Sequence, residues 1–317
     1  MTTPLEKAAQ AAQHAPSVFN TQPWSWRLTG DTLELLADQD RKLATVDRDG
    51  RLLLLSCGAA LHHARVTLAA AGWSATVERF PGGDVLARLR LGAAVPADPE
   101  AQRMAAAIPR RRTDRRSFGE RTITEAELTK LRRFVEAEGA YLHLVRPDQI
   151  AQLAISAELA GDAELGDPAY RAELDKWTTR PEFAGDGVPA ETAVEPALRR
   201  VPVRDFAPGG APGLRSGAAH DQGAAYVVLF GEDIRPVDLL RGGEALSALL
   251  LLATADGLAT APISDAIEVE WPRRLVAELL AGVGEPYLVV RLGYPAESEP
   301  LPPRPRRDLR DVITIVE

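Results

Sequence analysis

The sequence predicts an α+β fold assembled as two unequal versions of one plan. Three observations carry that expectation. Short apolar runs of strand length come in pairs joined by Gly- or Pro-bearing turns, the signature of antiparallel hairpins. Two long stretches, Gly50 to Ala71 and Gly243 to Ala255, are apolar on most faces and are therefore expected to be core helices. Strands and helices alternate in both parts of the chain.

The first version opens with a short helix at Pro4 to His14. A hairpin follows, Trp24 to Thr29 and Thr32 to Leu36, turned by Thr29-Gly30-Asp31. The long helix Gly50 to Ala71 comes next, then strands Ser74 to Phe80 and Val85 to Leu91 around Pro81-Gly82-Gly83. A Pro/Ala linker at Ala93 to Pro99 leads to the second version. Its helices are expected at Glu100 to Ile108, Glu125 to Glu138, Pro147 to Ala160 and Pro168 to Trp177, with a strand at Tyr141 to Val145. Thr124 with Glu127 forms a capping box that sets where the second of these helices begins. A strand at Tyr226 to Phe230, the Gly243 helix, a helix at Pro272 to Ala281 and a strand at Tyr287 to Leu292 complete the plan.

One segment has neither period. Arg180 to Gly217 carries Pro181, Pro189, Pro196, Pro202, Pro208 and Pro212 among glycines. A loop of that length inside a compact domain is functional or disordered. Phe183, Val188, Val201, Val203 and Phe206 give it apolar anchors, which favours an ordered flap.

Composition excludes several classes. The chain has 317 residues, 45% hydrophobic and 26% charged, with a net charge of −8, the profile of a globular protein with one large or two modest domains. Its longest apolar run, around Ala245 to Ala255, is too short to span a bilayer. With no membrane segment and no basic start before an apolar stretch, a cytoplasmic location is expected. Cys57 is the one cysteine, so there is no internal disulfide, and its apolar surroundings suggest a buried structural thiol. His62 and His63 are adjacent on a helix and diverge by about 100°, unlike an i, i+4 metal pair. Trp177, Tyr170 and Trp271 are expected to be packing residues. No zincin, nucleophile-elbow or P-loop string occurs.

The chemistry concentrates in two places. Ala15 to Trp24 reads Ala-Pro-Ser-Val-Phe-Asn-Thr-Gln-Pro-Trp, and Arg110 to Arg116 packs five arginines into seven residues. Guanidinium forks suit phosphate oxygens and carbonyl edges, and Thr113 adds a hydroxyl. A charge run alone reads equally well as a solvated basic turn or a nucleic-acid patch. The acidic balance of the chain and the lack of interleaved aromatics count against nucleic acid.

Pro-Ser-x-x-Asn-x-Gln-Pro-Trp at Pro16 to Trp24, with the arginine segment leading to Phe118, resembles the flavin-dependent nitroreductase family, specifically its Acg-like subfamily. There one chain carries two nitroreductase-like halves, mimicking the homodimer in which two ordinary subunits share each flavin. The resemblance implies a nitroreductase-type fold with pseudo-symmetric halves at 1–95 and 96–317, flavin mononucleotide (FMN) held between them, and one complete site per chain. It implies that Pro16, Ser17, Val18 and Asn20 meet the ring from one half, while Arg111, Arg112, Thr113, Arg115 and Arg116 serve its polar edge and phosphate from the other. Either Arg115 or Arg116 meets the ring edge, because the segment is one residue longer than the common pattern. Asp256 to Ser264 is similar to the family's loop beside the ring, which brings in Leu258, Pro262 and Ile263. Gly257 serves equally as a helix C-cap. Leu292-Gly293-Tyr294-Pro295 and Pro303 to Arg307 resemble the closing strand and a basic pair that reaches the phosphate. Arg304 and Arg306, two apart, point the same way, while Arg307 faces solvent.

Two departures stand out. Phe19 replaces the subfamily's histidine, and Ser264 replaces the acid after Pro-Ile. The implied activity is transfer of electrons from NAD(P)H through FMN to a small-molecule acceptor such as a nitro compound or quinone. The alternative is an FMN-sequestering protein whose flap closes the ring off. A monomer is expected because the duplication replaces a partner subunit, with a further dimer left open.

Overall fold

The structure, a computed structural model, describes residues 3–316. Its first part runs α1 (Pro4–Ala12), β1 (Trp24–Thr29), β2 (Thr32–Ala37), α2 (Arg51–Ala70), β3 (Trp73–Gly82), β4 (Val85–Ala94) and α3 (Pro99–Ala107). The second runs α4 (Glu125–Ala137), β5 (Tyr141–Leu144), α5 (Ile150–Gly166), α6 (Pro168–Thr178), β6 (Ala225–Gly231), α7 (Pro236–Ala255), β7 (Ala259–Ile263), α8 (Asp265–Glu268), α9 (Glu270–Leu279), β8 (Glu285–Gly293) and β9 (Ile313–Val316). Local chemistry explains many boundaries. Thr3 with Glu6 and Thr124 with Glu127 form capping boxes at the starts of α1 and α4. Gly257, at φ +81°, lets the chain turn after α7.

The strands form two sheets, one in the order β3-β4-β2-β1-β9 and the other β5-β6-β8-β7. Between the two parts, α2 and α7 pack backbone to backbone. A Cβ on Gly58 would stand 2.0 Å from the Leu240 carbonyl oxygen, and one on Gly243 would stand 2.1 Å from that of Leu55. Only glycine permits this approach. Glu244 of α7 is fully buried between the parts, accepting from Arg65 at 2.7 Å and from Arg79 at 2.7 and 2.9 Å. Helix α2 is long and apolar enough to cross a membrane by length and composition, but here it is the buried core helix that both parts share.

Four elements differ from the sequence-based expectation. Helix α7 begins at Pro236 rather than Gly243, because proline is accommodated at the first helical position and Gly242-Gly243 serve packing instead of ending the helix. Helix α5 begins at Ile150, after a 3₁₀ turn over Pro147–Gln149, and continues to Gly166. The segment expected as a loop beside Pro262 is the edge strand β7, where proline is tolerated at the sheet border. Finally, β9 pairs in parallel with β1 of the first sheet, so the chain's last strand returns to the part that began it. Nothing local in Ile313–Val316 announces a partner 286 residues or more away.

Candidate functional site

The loop from Pro16 to Trp24 is a strained turn held from several sides. Phe19, Asn20 and Gln22 all have positive φ, at 48°, 54° and 50°, a conformation that costs non-glycine residues energy and persists only when the surroundings impose it. Here they do. Ser17 Oγ accepts from the Gln22 backbone N–H at 2.9 Å, Gln22 Nε2 donates to the Gly185 carbonyl at 2.8 Å, and Gln22 Oε1 accepts from the Arg307 N–H at 3.1 Å. Asn20 Nδ2 donates to the Pro305 carbonyl at 3.2 Å, and its Oδ1 accepts from Arg306 Nη1.

The arginine segment is fixed by the second sheet. Thr113 bridges Thr260 of β7, and the Asp114 N–H donates to the Thr260 carbonyl at 2.9 Å. Beneath it the fully buried Arg291 of β8 donates to the Asp114 and Arg116 carbonyls at 2.8 and 2.9 Å and pairs with Asp221 at 2.6 Å. Asp221 also accepts from the Phe118 N–H at 2.7 Å. These contacts decide the direction of each arginine. Arg116 turns back onto Asp114 in a bidentate fork at 2.9 and 3.0 Å, while Arg115 faces the cleft, its guanidinium 4.3 Å from the Phe206 ring centre.

Loop, arginine segment and β7 converge on one cleft. Of the residues singled out in the sequence, Pro16, Ser17, Val18, Asn20, Thr113, Arg115, Pro262, Ile263 and Arg304 line it. Arg111, Arg112, Arg116, Leu258 and Arg306 are not part of that lining. Leu258 packs into the core instead, and Arg306 braces Asn20, also donating to the His14 carbonyl at 3.1 Å.

Among the described residues, Arg111 is buried with Nε, Nη1 and Nη2 all without partners, and Arg112 Nε and Arg306 Nε are likewise buried and unpaired. Withdrawal from water, compounded by Arg304, Arg306 and Arg112, pushes Arg111 far below the ordinary guanidinium range. The same causes lower Arg115 to about 9, with Arg304 and Arg204 as neighbours, Arg304 to about 10 beside Arg112, and Arg306 to about 9 beside Arg304 and Arg112. Like charges gathered out of water are stable only with a counter-anion. The donor set suits a phosphate.

The Arg180 to Gly217 segment is an ordered flap over this cleft. Val188, Pro189, Thr192, Val203, Arg204 and Phe206 line it from the flap side. Asp186, with its side chain 1% exposed, ties the flap to the first part through Arg41 and pairs within the flap with Arg180 at 2.6 Å. Phe206 meets Phe19 edge to face at 5.6 Å, and Arg204 lies 5.0 Å over the Phe19 ring. The position that lacks a histidine is therefore an aromatic contact between loop and flap. Sequence reasoning missed Arg204, although a charge between the apolar anchors Val203 and Phe206 was a usable signal. It also missed Asp265, which lines the cleft one residue after Ser264.

Other expectations resolve individually. Cys57 is fully buried, with burial raising its thiol pKa, as expected of a structural residue. His62 and His63 do not diverge as the helical spacing suggested. Both Nδ1 atoms meet Ser247 Oγ, at 2.8 and 2.9 Å, because the hydroxyl from α7 sits between them. Among the described residues no cluster could hold a metal. Trp177 and Tyr170 are buried packing residues, but Trp271 is 57% exposed on α9. Arg307 does not face solvent. Its guanidinium donates to the Gln22 carbonyl at 3.1 Å and pairs with Asp38 at 3.3 Å.

Comparison with known proteins agrees with this picture. No family model matches the chain. A Mycobacterium tuberculosis protein named "Putative NAD(P)H nitroreductase acg" is 38% identical over 320 residues, spanning 99% of this chain and 96% of its own length. Another M. tuberculosis protein, named as an uncharacterized protein, is 35% identical over 321 residues, spanning 98% of this chain and 93% of itself. Among solved structures, an FMN and NADPH-dependent nitroreductase from Sphigopyxis sp. strain HMH covers 68% of this chain and 99% of itself, at 17% identity and a TM-score of 0.43. That overlap is too loose to bear on the site. Two sheets flanking a shared helix pair define an α+β protein of nitroreductase type. The chain belongs to the Acg-like nitroreductase family.

Proposed function

We propose that this cleft binds FMN and that the protein is an NAD(P)H-dependent oxidoreductase acting on a nitro, quinone or similar small-molecule acceptor. The observation that carries the reading is the cation cluster at the cleft: Arg304 lines it, and beside Arg304 the buried Arg111 has no partner among the described residues on any of its three nitrogens. A phosphate dianion satisfies that group and relieves the mutual repulsion of Arg111, Arg112, Arg304 and Arg306. Arg115 and Thr113 stand where they could serve the polar edge of a ring, and positive charge there stabilises the charge that accumulates on reduction. Pro16 to Asn20 and β7 form facing walls. When bound, FMN supplies hydride chemistry that no side chain possesses. The duplication makes one site per chain and a monomer the expected unit. Burial of Arg111 and Arg116 inside the fold counts against a duplex-binding face.

A second reading is favoured by a specific observation. The flap that lines the cleft is pinned by buried ion pairs at Asp186 and Arg204, the arrangement expected of a protein that stores FMN. One experiment separates the readings. An enzyme purifies yellow, and its flavin bleaches anaerobically with NAD(P)H, whereas a storage protein stays yellow under the same treatment. A colourless protein that gains no colour from added FMN refutes both.

A further inference from the structure

A wall of buried charge separates the cleft from a second cavity. That cavity is lined by Asp47, Arg51, Glu164, Tyr170, Glu268 and Arg273 among others. Arg204 and Asp265 line the cleft on the opposite side. Arg204 Nη2 spans the wall, donating to Glu164 Oε1 at 3.1 Å and to Glu268 Oε2 at 2.6 Å. The side chains of Arg204, Glu164 and Glu268 are 8%, 5% and 2% exposed, and Asp265 is 4% exposed.

Two carboxyl groups, Glu164 and Glu268, thus share one guanidinium out of water, with the buried Asp265 beside them. One cation cannot balance all three as carboxylates, so a proton is retained within the enclosure. Burial raises both Glu164 and Asp265 above the ordinary carboxyl range, and a hydrogen bond with Glu268 raises Glu164 further. The charged and titratable neighbours on every side fit this picture. Asp265 Oδ1 accepts from the Ala266 N–H at 2.9 Å, and its charged neighbours include Arg204, Glu268 and Glu164. From the arginine segment, Arg115 faces Arg204. From the start of α2, Asp47 faces Glu268. From α6, Tyr170 lies 5.8 Å from the Arg204 guanidinium, and from α9, Arg273 donates to the Ile267 carbonyl at 3.2 Å.

We propose that Asp265 is the proton donor to the acceptor bound in the cleft, and that Glu268 and Glu164, held by Arg204, replenish it from the second cavity. This deepens, and rests on, the reading of the protein as an FMN-dependent oxidoreductase. Reduction of a quinone to a quinol takes two electrons and two protons. A hydride, which bound FMN would supply once reduced, would account for both electrons and one of the protons. The second proton leaves the Asp265 carboxyl as its O–H bond breaks and a new O–H bond forms on the quinone. The Asp265 carboxylate then regains a proton through Glu268 and Glu164 from solvent in the second cavity.

The two half-reactions test this separately. In Asp265→Asn, reduction of bound FMN by NAD(P)H, a step that needs no added proton, serves as the internal reference for the quinone step. Re-oxidation by a benzoquinone slows by about 10²-fold, the usual worth of a positioned acid, and loses its solvent deuterium isotope effect. An unchanged quinone step, or equal slowing of both halves, overturns the assignment. Infrared spectra of the flavin-free wild-type protein at neutral pH provide a test that survives any folding defect in the variant. The carbonyl stretch of protonated carboxyl groups is expected, weakened in Glu164→Gln, and its absence overturns the proton store. Failure of NAD(P)H to bleach the flavin would instead refute the enzyme reading and leave the infrared result to be judged independently.

Discussion

Arg306 Nη1 donates to Asn20 Oδ1 at 2.5 Å, joining residues 286 positions apart. The contact closes one end of the cleft, because the strap from Pro303 to Arg307 lies across the Pro16 to Trp24 loop and then feeds β9 into the first sheet. A cation with its pKa lowered to about 9 is held there by a neutral amide and by backbone carbonyls, none of which cancels its charge.

That imbalance predicts opposite effects of one substitution. Arg111→Met removes a buried, unpartnered charge, so the flavin-free protein should gain stability, while affinity for FMN should fall. Loss of a charge-assisted partner is worth about 1.5–3 kcal/mol, or roughly 10- to 150-fold in Kd. Riboflavin, which lacks the phosphate, should bind wild type and variant alike. Calorimetric titration with both flavins checks this, and equal losses for the two would place Arg111 away from the phosphate.

Glu164 gives stability a pH dependence of definite sign. Its folded pKa lies above the ordinary value of 4.5, chiefly through burial, so the folded state keeps a proton that the unfolded chain has released. The stabilisation is complete below pH 4.5 and is withdrawn as pH rises toward the folded value. Urea denaturation across that range should show wild type losing stability relative to Glu164→Gln, with parallel curves at the acid end. A constant difference would mean Glu164 is ionised in the fold.

Asp186 governs how firmly the flap is shut. Asp186→Ala leaves Arg41 and Arg180 without their buried partner, a loss of about 3–5 kcal/mol at the site of the break. Even part of that energy, expressed as flap opening, should speed FMN release by at least about tenfold. Recovery of free-flavin fluorescence after dilution measures the rate. No change would show that the flap does not limit escape.

Gly58→Ala tests the seam between the parts. Its methyl would stand 2.0 Å from the Leu240 carbonyl oxygen and 2.9 Å from Gly243 Cα, and both neighbours are backbone that cannot rotate away. The expected cost exceeds about 3 kcal/mol, beyond ordinary overpacking. Urea unfolding reads it directly, and near-wild-type stability would mean that α2 and α7 can separate cheaply.

Much of this molecule is legible in one dimension because the governing interactions are short-range. The capping boxes at Thr3 and Thr124, the hairpin turn at Gly30 and the apolar helices α2 and α7 follow from neighbours within a turn or two. The two chemical segments are legible for the same reason: five arginines in seven residues and the Pro-Ser to Gln-Pro-Trp string are dense, local patterns. Strand β9 was not legible, since it pairs with the distant β1. Nor was the inward turn of Arg307, which depends on carbonyls of a loop some 285 residues earlier.

By itself the sequence determined which residue types were available to hold an anion and where capped helices such as α4 begin, because propensity, capping and charge density act along the chain. Tertiary structure alone decided that Arg115 faces the cleft while Arg116 folds onto Asp114, that Arg204 is shared by Glu164 and Glu268, and that Asp265 stands at the cleft wall. Those outcomes depend on which charges are buried together, and burial is a property of the packed molecule rather than of any segment of it.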